Sequence, residues 1–199
     1  MARIKITSGI YKGRNIESPD SEQTHPMGSR EKIALFNMLN DYLPNAQVLD
    51  AYAGSGALGI EALSRGAAEV LFVDESHVAM RTIVMNCMSL GIEEEQVAFY
   101  RGSVSAFYKK FVCGQGTSLD PRMAVAMETF PEEVDVIIAD PPYDDFNEKE
   151  VSRLANDYLK PEGVLALSHP GEAPEFPGLI LEKSHQYAGA TISIYTREN

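Results

Sequence analysis

Apolar residues gather in short runs of strand length, separated by stretches with helical spacing. Gln47–Asp50, Val70–Asp74, Val97–Arg101, Val134–Ala139 and Val164–Ser168 are the runs. Val134–Ala139 is almost wholly apolar, as expected of a central strand covered on both faces. Between the first two runs, Gly54–Arg65 reads as a turn and a helix. Met80, Ile83, Val84, Cys87 and Met88 form one helical stripe, with Ser76 as its cap and Gly91 as its stop. Val151, Leu154, Ala155 and Tyr158 mark another amphipathic helix, followed by a turn at Pro161–Gly163. Leu179–Lys183 and Ala190–Tyr195 predict a closing pair of strands around Tyr187–Gly189. Upstream, Leu35, Met38, Leu39 and Tyr42 give a stripe, and residues 3–17 predict a small hairpin with Gly9 and Gly13 near its turn. Residues 113–131 interrupt the alternation with Gly114, Gly116, Pro121 and Pro131, and read as an inserted loop with a helical turn near Ala124–Phe130.

Alternating strands and helices predict an α/β fold: a mostly parallel, Rossmann-like sheet covered on both faces, with one antiparallel strand at an edge. The hairpin and first helix, residues 1–44, read as an extension of a main domain spanning 45–199.

Composition changes this picture little. At 44% hydrophobic and 23% charged, the chain is an ordinary globular one. No apolar run approaches the roughly 18 residues of a membrane span, and the first residues lack the apolar stretch of a secretory signal. Cys87 and Cys113 show no metal-type spacing, so reduced thiols in a cytoplasmic protein without a metal are expected. Charge matters more. A net charge of −12 opposes nucleic-acid binding, yet residues 1–37 hold Arg3, Lys5, Lys12, Arg14, Arg30 and Lys32 against four carboxylates. Any footprint for phosphate therefore lies in the N-terminal segment.

The first candidate site runs from Asp50 to Gly59, between a strand and a helix at the carboxyl edge of the sheet, where open parallel sheets bind ligands. Gly54, Gly56 and Gly59 have dinucleotide-type spacing, with Ser55 between the first two and Tyr52 just before. Asp74, 20 residues beyond Gly54, ends the next strand with Glu75 beside it, and its carboxylate can accept from both hydroxyls of a ribose. Asp50 separates two cofactors. At the mouth of the turn it would face a dinucleotide's pyrophosphate, and like charges about 4 Å apart cost roughly 4 kcal/mol near a protein surface. S-adenosylmethionine (SAM) offers an ammonium and a sulfonium instead, which a carboxylate attracts.

The second candidate is Asp140-Pro141-Pro142-Tyr143, directly after the fourth strand. Two prolines fix the backbone and leave carbonyls free to accept. The Asp140 carboxylate and the Pro141 carbonyl can both take hydrogen bonds from an exocyclic base amine, aiming its lone pair and stabilising charge as a C–N bond forms. Tyr143 offers a face on which an extruded base can stack. Elsewhere, His77, His169 and His185 have no spaced partners and read as surface or structural residues, Phe36 as core, and Arg65 as support for a helix end.

At these residues the chain resembles the class I SAM-dependent methyltransferases, and more closely the RsmD family of 16S rRNA guanine-N2 methyltransferases. The resemblance is carried by Ser8-Gly9-Ile10-Tyr11-Lys12-Gly13-Arg14, by His25-Pro26-Met27-Gly28-Ser29-Arg30, by the block from Asp50 to Gly66 and by Asp140 to Tyr143. It implies a seven-stranded sheet, SAM held by the Gly54–Gly56 turn and Asp74, a target guanine held by Asp140 to Tyr143, and action on the small ribosomal subunit; a monomer is expected. It also implies that the N-terminal segment approaches RNA through Lys12, Arg14, His25 and Arg30. His25 replaces the arginine usual in the family. Ser103 stands where an aspartate commonly meets the adenine amine, and the Val104 N–H is a second candidate there. Asp-Pro-Pro-Tyr is shared with DNA adenine-N6 enzymes, which leaves that activity, or a non-catalytic RNA-binding assembly factor, as alternatives.

Overall fold

The computed structural model describes residues 2–19, 27–114, 131–187 and 189–198. Seven strands form the main sheet: β3 (Gln47–Ala51), β4 (Glu69–Asp74), β5 (Val97–Arg101), β6 (Val134–Ala139), β7 (Leu159–His169), β8 (Leu179–Tyr187) and β9 (Ala190–Arg197). Their spatial order is β5-β4-β3-β6-β7-β9-β8. The strands from β3 to β7 are mutually parallel, β9 runs antiparallel to both neighbours, and the reversed strand therefore lies one place in from the edge, not at it. A hairpin this short at the chain end lets β8 take the outer place once β9 pairs with β7.

One face of the sheet is covered by the N-terminal hairpin, β1 (Arg3–Lys5) and β2 (Asn15–Glu17), and by helices α1 (Ser29–Leu39), α2 (Ala57–Ser64) and α3 (His77–Leu90). The other is covered by the short helix α4 (Val104–Phe107), its continuation as a wider π turn over Tyr108–Val112, and α5 (Glu148–Tyr158). Ile6, Ile16, Leu35 and Phe36 join the same apolar cluster as Val48, Ile60 and Phe72, so the hairpin and α1 share the core of the sheet. A buried carboxylate fastens them to α2. Glu61, fully buried, accepts from the Thr7 and Ser8 N–H groups and the Thr7 hydroxyl, and pairs with Lys32 at 3.3 Å and Arg65 at 3.0 Å. Among the described residues, no helix is long and apolar enough to cross a membrane.

Three local expectations are corrected. In α3 the buried face is Ala79, Met80, Ile83, Asn86, Cys87 and Leu90, while Val84 and Met88 face outward. Asn86 displaces them because its amide is fully used: it donates to the Glu17 and Ser55 carbonyls and accepts from the Glu17 N–H. Tyr42 lies beyond the end of α1 and is 40% exposed, its expected place in the stripe taken by Phe36 and the paired Lys32. The turn at Pro161–Gly163 is an excursion inside β7, not its start: Leu159 pairs with Val134 and Val164 with Val136, leaving the residues between to loop out. The helical turn expected near Ala124–Phe130 lies outside the described residues.

Candidate functional site

Sheet register brings the predicted residues to one edge. Ala51 pairs with Val73 on one side and with Ala139 on the other, and Ala139 pairs with Leu167. The next residues on these four adjacent strands, Tyr52, Asp74, Asp140 and Ser168, therefore stand in one row at the carboxyl ends.

The glycine turn is held from below and from the side. Asp50 is fully buried beneath the turn, not at its mouth as expected, and its Oδ2 accepts from the Gly59 N–H at 2.8 Å. That bond explains Gly59: a Cβ there would stand 2.3 Å from the Phe72 ring and 2.9 Å from the same carboxylate oxygen. Gly56, at φ 76°, opens α2 in the left-handed region. The Gly54 N–H donates to Asp74 Oδ2 at 2.8 Å, and the Ser76 N–H to Asp74 Oδ1 at 2.8 Å. Asp74 thus braces the turn with one lone pair of each oxygen and keeps the other for a ligand. Glu75 beside it is exposed, and Ser55 is buried. Tyr52 adopts φ 64°, which is rare for a side chain of its size, and its hydroxyl donates to Glu150 Oε1 on α5 at 2.7 Å. Burial and that bond hold its hydroxyl far above its usual pKa.

Asp50 Oδ1 has no hydrogen-bond partner among the described residues, although it is buried. Burial pushes the Asp50 carboxyl well up, with Asp140 and Asp74 adding to the effect through their charges. Asp74 and Asp140 are therefore both close enough to act on Asp50, and none of the three joins the ion pairs of the described residues. This is a site short of positive charge. A cationic ligand would oppose that rise by favouring the charged carboxylate, so the donor set fits the ammonium and sulfonium of SAM and opposes a pyrophosphate.

The second candidate loop, Asp140 to Tyr143, follows β6. Asp140 is only partly exposed, and burial pushes its carboxyl up to about 6, with the Ser168 hydroxyl lowering it. The Tyr143 hydroxyl lies 2.7 Å from Ser168 Oγ. The Ser168 hydroxyl thus meets both the Tyr143 hydroxyl and the Asp140 carboxylate, and the three side chains form one chain of polar contacts. Pro141 is buried, with no backbone partner for its carbonyl among the described residues, whereas the Pro142 carbonyl accepts from the Asp145 N–H. Tyr143 is 36% exposed, and burial raises its hydroxyl, with Asp140 and Glu31 adding to the effect through their charges.

Other predicted residues are placed as follows. The Ser103 hydroxyl caps α4 by accepting from the Ala106 N–H, and its own proton is free to donate. Val104 is buried at the first position of that helix. Lys12 and Arg14 are exposed on the hairpin, Arg30 is exposed on α1, and His25 lies outside the described residues. His169 is fully buried and bonded to Ser193 Oγ at 2.8 Å, a structural role. Ser168 and Glu150 were not singled out by sequence. Ser168 had a signal, being a polar residue that ends an apolar strand on the ligand edge. Glu150 had none, because it looks like any charge in the first turn of an amphipathic helix.

Residues 4–196 match the protein family described as Conserved hypothetical protein 95. The Ribosomal RNA small subunit methyltransferase D of Haemophilus influenzae is 31% identical over 174 residues, which cover 86% of this chain and 81% of that protein. YlbH of Bacillus subtilis is 29% identical over 98% of this chain and 99% of its own length. Among solved structures, Escherichia coli yhhF superposes with a TM-score of 0.80 at 25% identity, covering 99% of both chains.

Proposed function

The chain belongs to the RsmD family, described as Conserved hypothetical protein 95, and from that premise and the site geometry we propose that it methylates the exocyclic N2 amine of a guanine in small-subunit ribosomal RNA, using SAM. The observation that carries this reading is the meeting of Asp74 and Asp140 at one sheet edge, with Asp50 buried beneath the glycine turn between them and Tyr143 partly exposed beside Asp140. Asp50 and Asp74 suit a cationic cofactor and Asp140 an amine. The relative in Haemophilus influenzae is named for methylation of small-subunit ribosomal RNA, which supports the substrate class.

When bound, SAM supplies an electrophilic methyl carbon on a sulfonium. The Gly54–Gly56 turn with Asp50, Asp74 and Glu75 would hold it, and the Ser103 hydroxyl and Val104 N–H would meet its adenine. Tyr52 stiffens the turn through Glu150. The chain's own work is then positioning. With its carboxyl pushed up to about 6, Asp140 is charged at neutral pH and accepts a hydrogen bond from the amine. The Pro141 carbonyl accepts the second. Both acceptors stabilise positive charge as it develops on nitrogen, and Asp140 can take the released proton. Ser168 and Tyr143 fix the carboxylate's direction, and the Tyr143 ring supports the base.

The test is to offer tritiated SAM and the protein separately to small subunits lacking the modification, to naked ribosomal RNA and to DNA. Label should enter a ribosomal substrate and appear as N2-methylguanine on nucleoside analysis. A different methylated nucleoside would overturn the guanine assignment, and label on DNA alone would overturn the RNA one. Asp140→Ala should lower turnover by a factor of about 100 or more with SAM affinity nearly intact; equal loss of both would contradict its role.

A further inference from the structure

The outer face of α3 is unlike the rest of this acidic chain. Val78, Val84, Met85 and Met88 are exposed along it, Met88 by 75%. Arg81 stands among them, and the helix has no carboxylate at all. Two grooves flank this face. One, of about 370 Å³, lies toward the edge strand β5 and is lined by Arg81, Met85, Phe99 and Arg101 among others. The second, of about 540 Å³, lies toward the hairpin and is lined by Arg3, Arg14, Glu17, Met85 and Ser89 among others. Met85 borders both, so the two grooves adjoin at its side chain and together make a track across the helix. The Arg14 guanidinium donates to the Ser89 carbonyl at 2.8 Å and fastens the hairpin to the end of the helix. At the other end Arg101 is the register partner of Asp74, so the track opens beside the cofactor edge.

Four arginines against one carboxylate line this track, in a chain whose net charge is −12. Glu75 bounds it at one end, and Glu93, Glu94 and Glu95 lie beyond Gly91 at the other. The cations run from the hairpin (Arg3, Arg14) over Arg81 to β5 (Arg101), beside a helix about 20 Å long and not focused at one point, which suits a linear polyanion. We propose that this track binds the single-stranded RNA flanking the target nucleotide, with the arginines on successive phosphates and the methionines against base faces. The inference rests on the RNA substrate proposed above. It also explains how an acidic body engages RNA: the body is acidic elsewhere, and the contacts are concentrated on one stripe. Complementary charge favours RNA here over a basic protein surface.

The probe is naked small-subunit ribosomal RNA, bound by the full chain at salt concentrations from about 50 to about 200 mM. Arg81→Glu combined with Arg101→Glu removes two phosphate contacts. The slope of log affinity against log salt should shrink by about 1.5, at about 0.7 to 0.9 per phosphate, and affinity at low salt should fall at least tenfold. Lys109→Glu combined with Lys183→Glu makes the same charge change away from the track and should move the slope little. SAM affinity, measured in parallel, should be unchanged in all variants, which shows that each is folded. An unchanged slope in the arginine pair, or an equal change in the control pair, overturns the proposal. Failure of the wild-type protein to methylate ribosomal RNA would instead strike the proposed function, and the slope comparison would still stand on its own.

Discussion

The proposed chemistry turns on where single carboxylates are placed. Asp140 is held at about 6 by burial, above its ordinary value of 3.8. Because the folded value is the higher one, the folded state holds its proton more tightly, and this stabilises the fold below the ordinary carboxylate range and is lost as pH rises through 6. Keeping Asp140 charged at pH 8 therefore costs on the order of 3 kcal/mol. Asp140→Asn should be more stable than the wild type at pH 8, with the gap closing toward pH 4; thermal melts across that range check it, and a gap independent of pH would contradict the burial argument. Ser168 tunes the same group. Ser168→Ala removes the hydroxyl that lowers Asp140, so the acid limb of the turnover profile should move to higher pH by roughly one unit. Ser168→Thr should restore it. A loss of turnover at all pH values with the limb in place would mean that Ser168 only packs. The position of Ser168 at the end of an apolar strand was legible, but its contacts were not, since Tyr143 and Ser168 are 25 residues apart and nothing local announces their meeting.

At the scale of elements, the hairpin, α1 and α2 act as one unit through Glu61. Burial alone would raise its carboxyl, but the Thr7 bonds and the nearby Lys32 and Arg65 bring it below the usual range. Its contribution is present above the ordinary glutamate range and is lost as pH falls through the lowered value. Glu61→Ala strands a Lys32 side chain that is only 3% exposed, and should cost about 3 to 5 kcal/mol in urea unfolding; a cost under about 1 kcal/mol would show that the network is dispensable. The bond from Tyr52 to Glu150 ties the glycine turn to α5 in the same way, across 98 residues. Sequence periodicity located α5 accurately, because its buried face is wholly apolar: Val151, Leu154, Ala155 and Tyr158. It misjudged α3, where a satisfied Asn86 is buried and two apolar residues are not. Hydrophobic pattern reports burial only when polar groups have no partners inside.

For the whole molecule, the shared core of hairpin, α1 and sheet has a direct consequence. A chain reduced to residues 45–199 would expose Val48, Ile60 and Phe72, which pack against Ile6, Leu35 and Phe36 in one cluster. It should melt far below the full chain and bind the apolar dye ANS; a truncated chain with an unchanged melting temperature would refute the shared core. The alternation of strands and helices, the two carboxyl-edge loops and their residue types were determined by the sequence, because strand length, helical spacing and turn chemistry are local properties of the chain. Which strands become neighbours was not local. Only the tertiary structure decided that Asp50 sits under its turn, that Ser168 joins Asp140 and Tyr143, and that Arg14 and Arg101 open onto opposite ends of one track. The physical reason is the same in each case: these contacts depend on sheet register and core packing, which are settled by the whole chain competing for one interior.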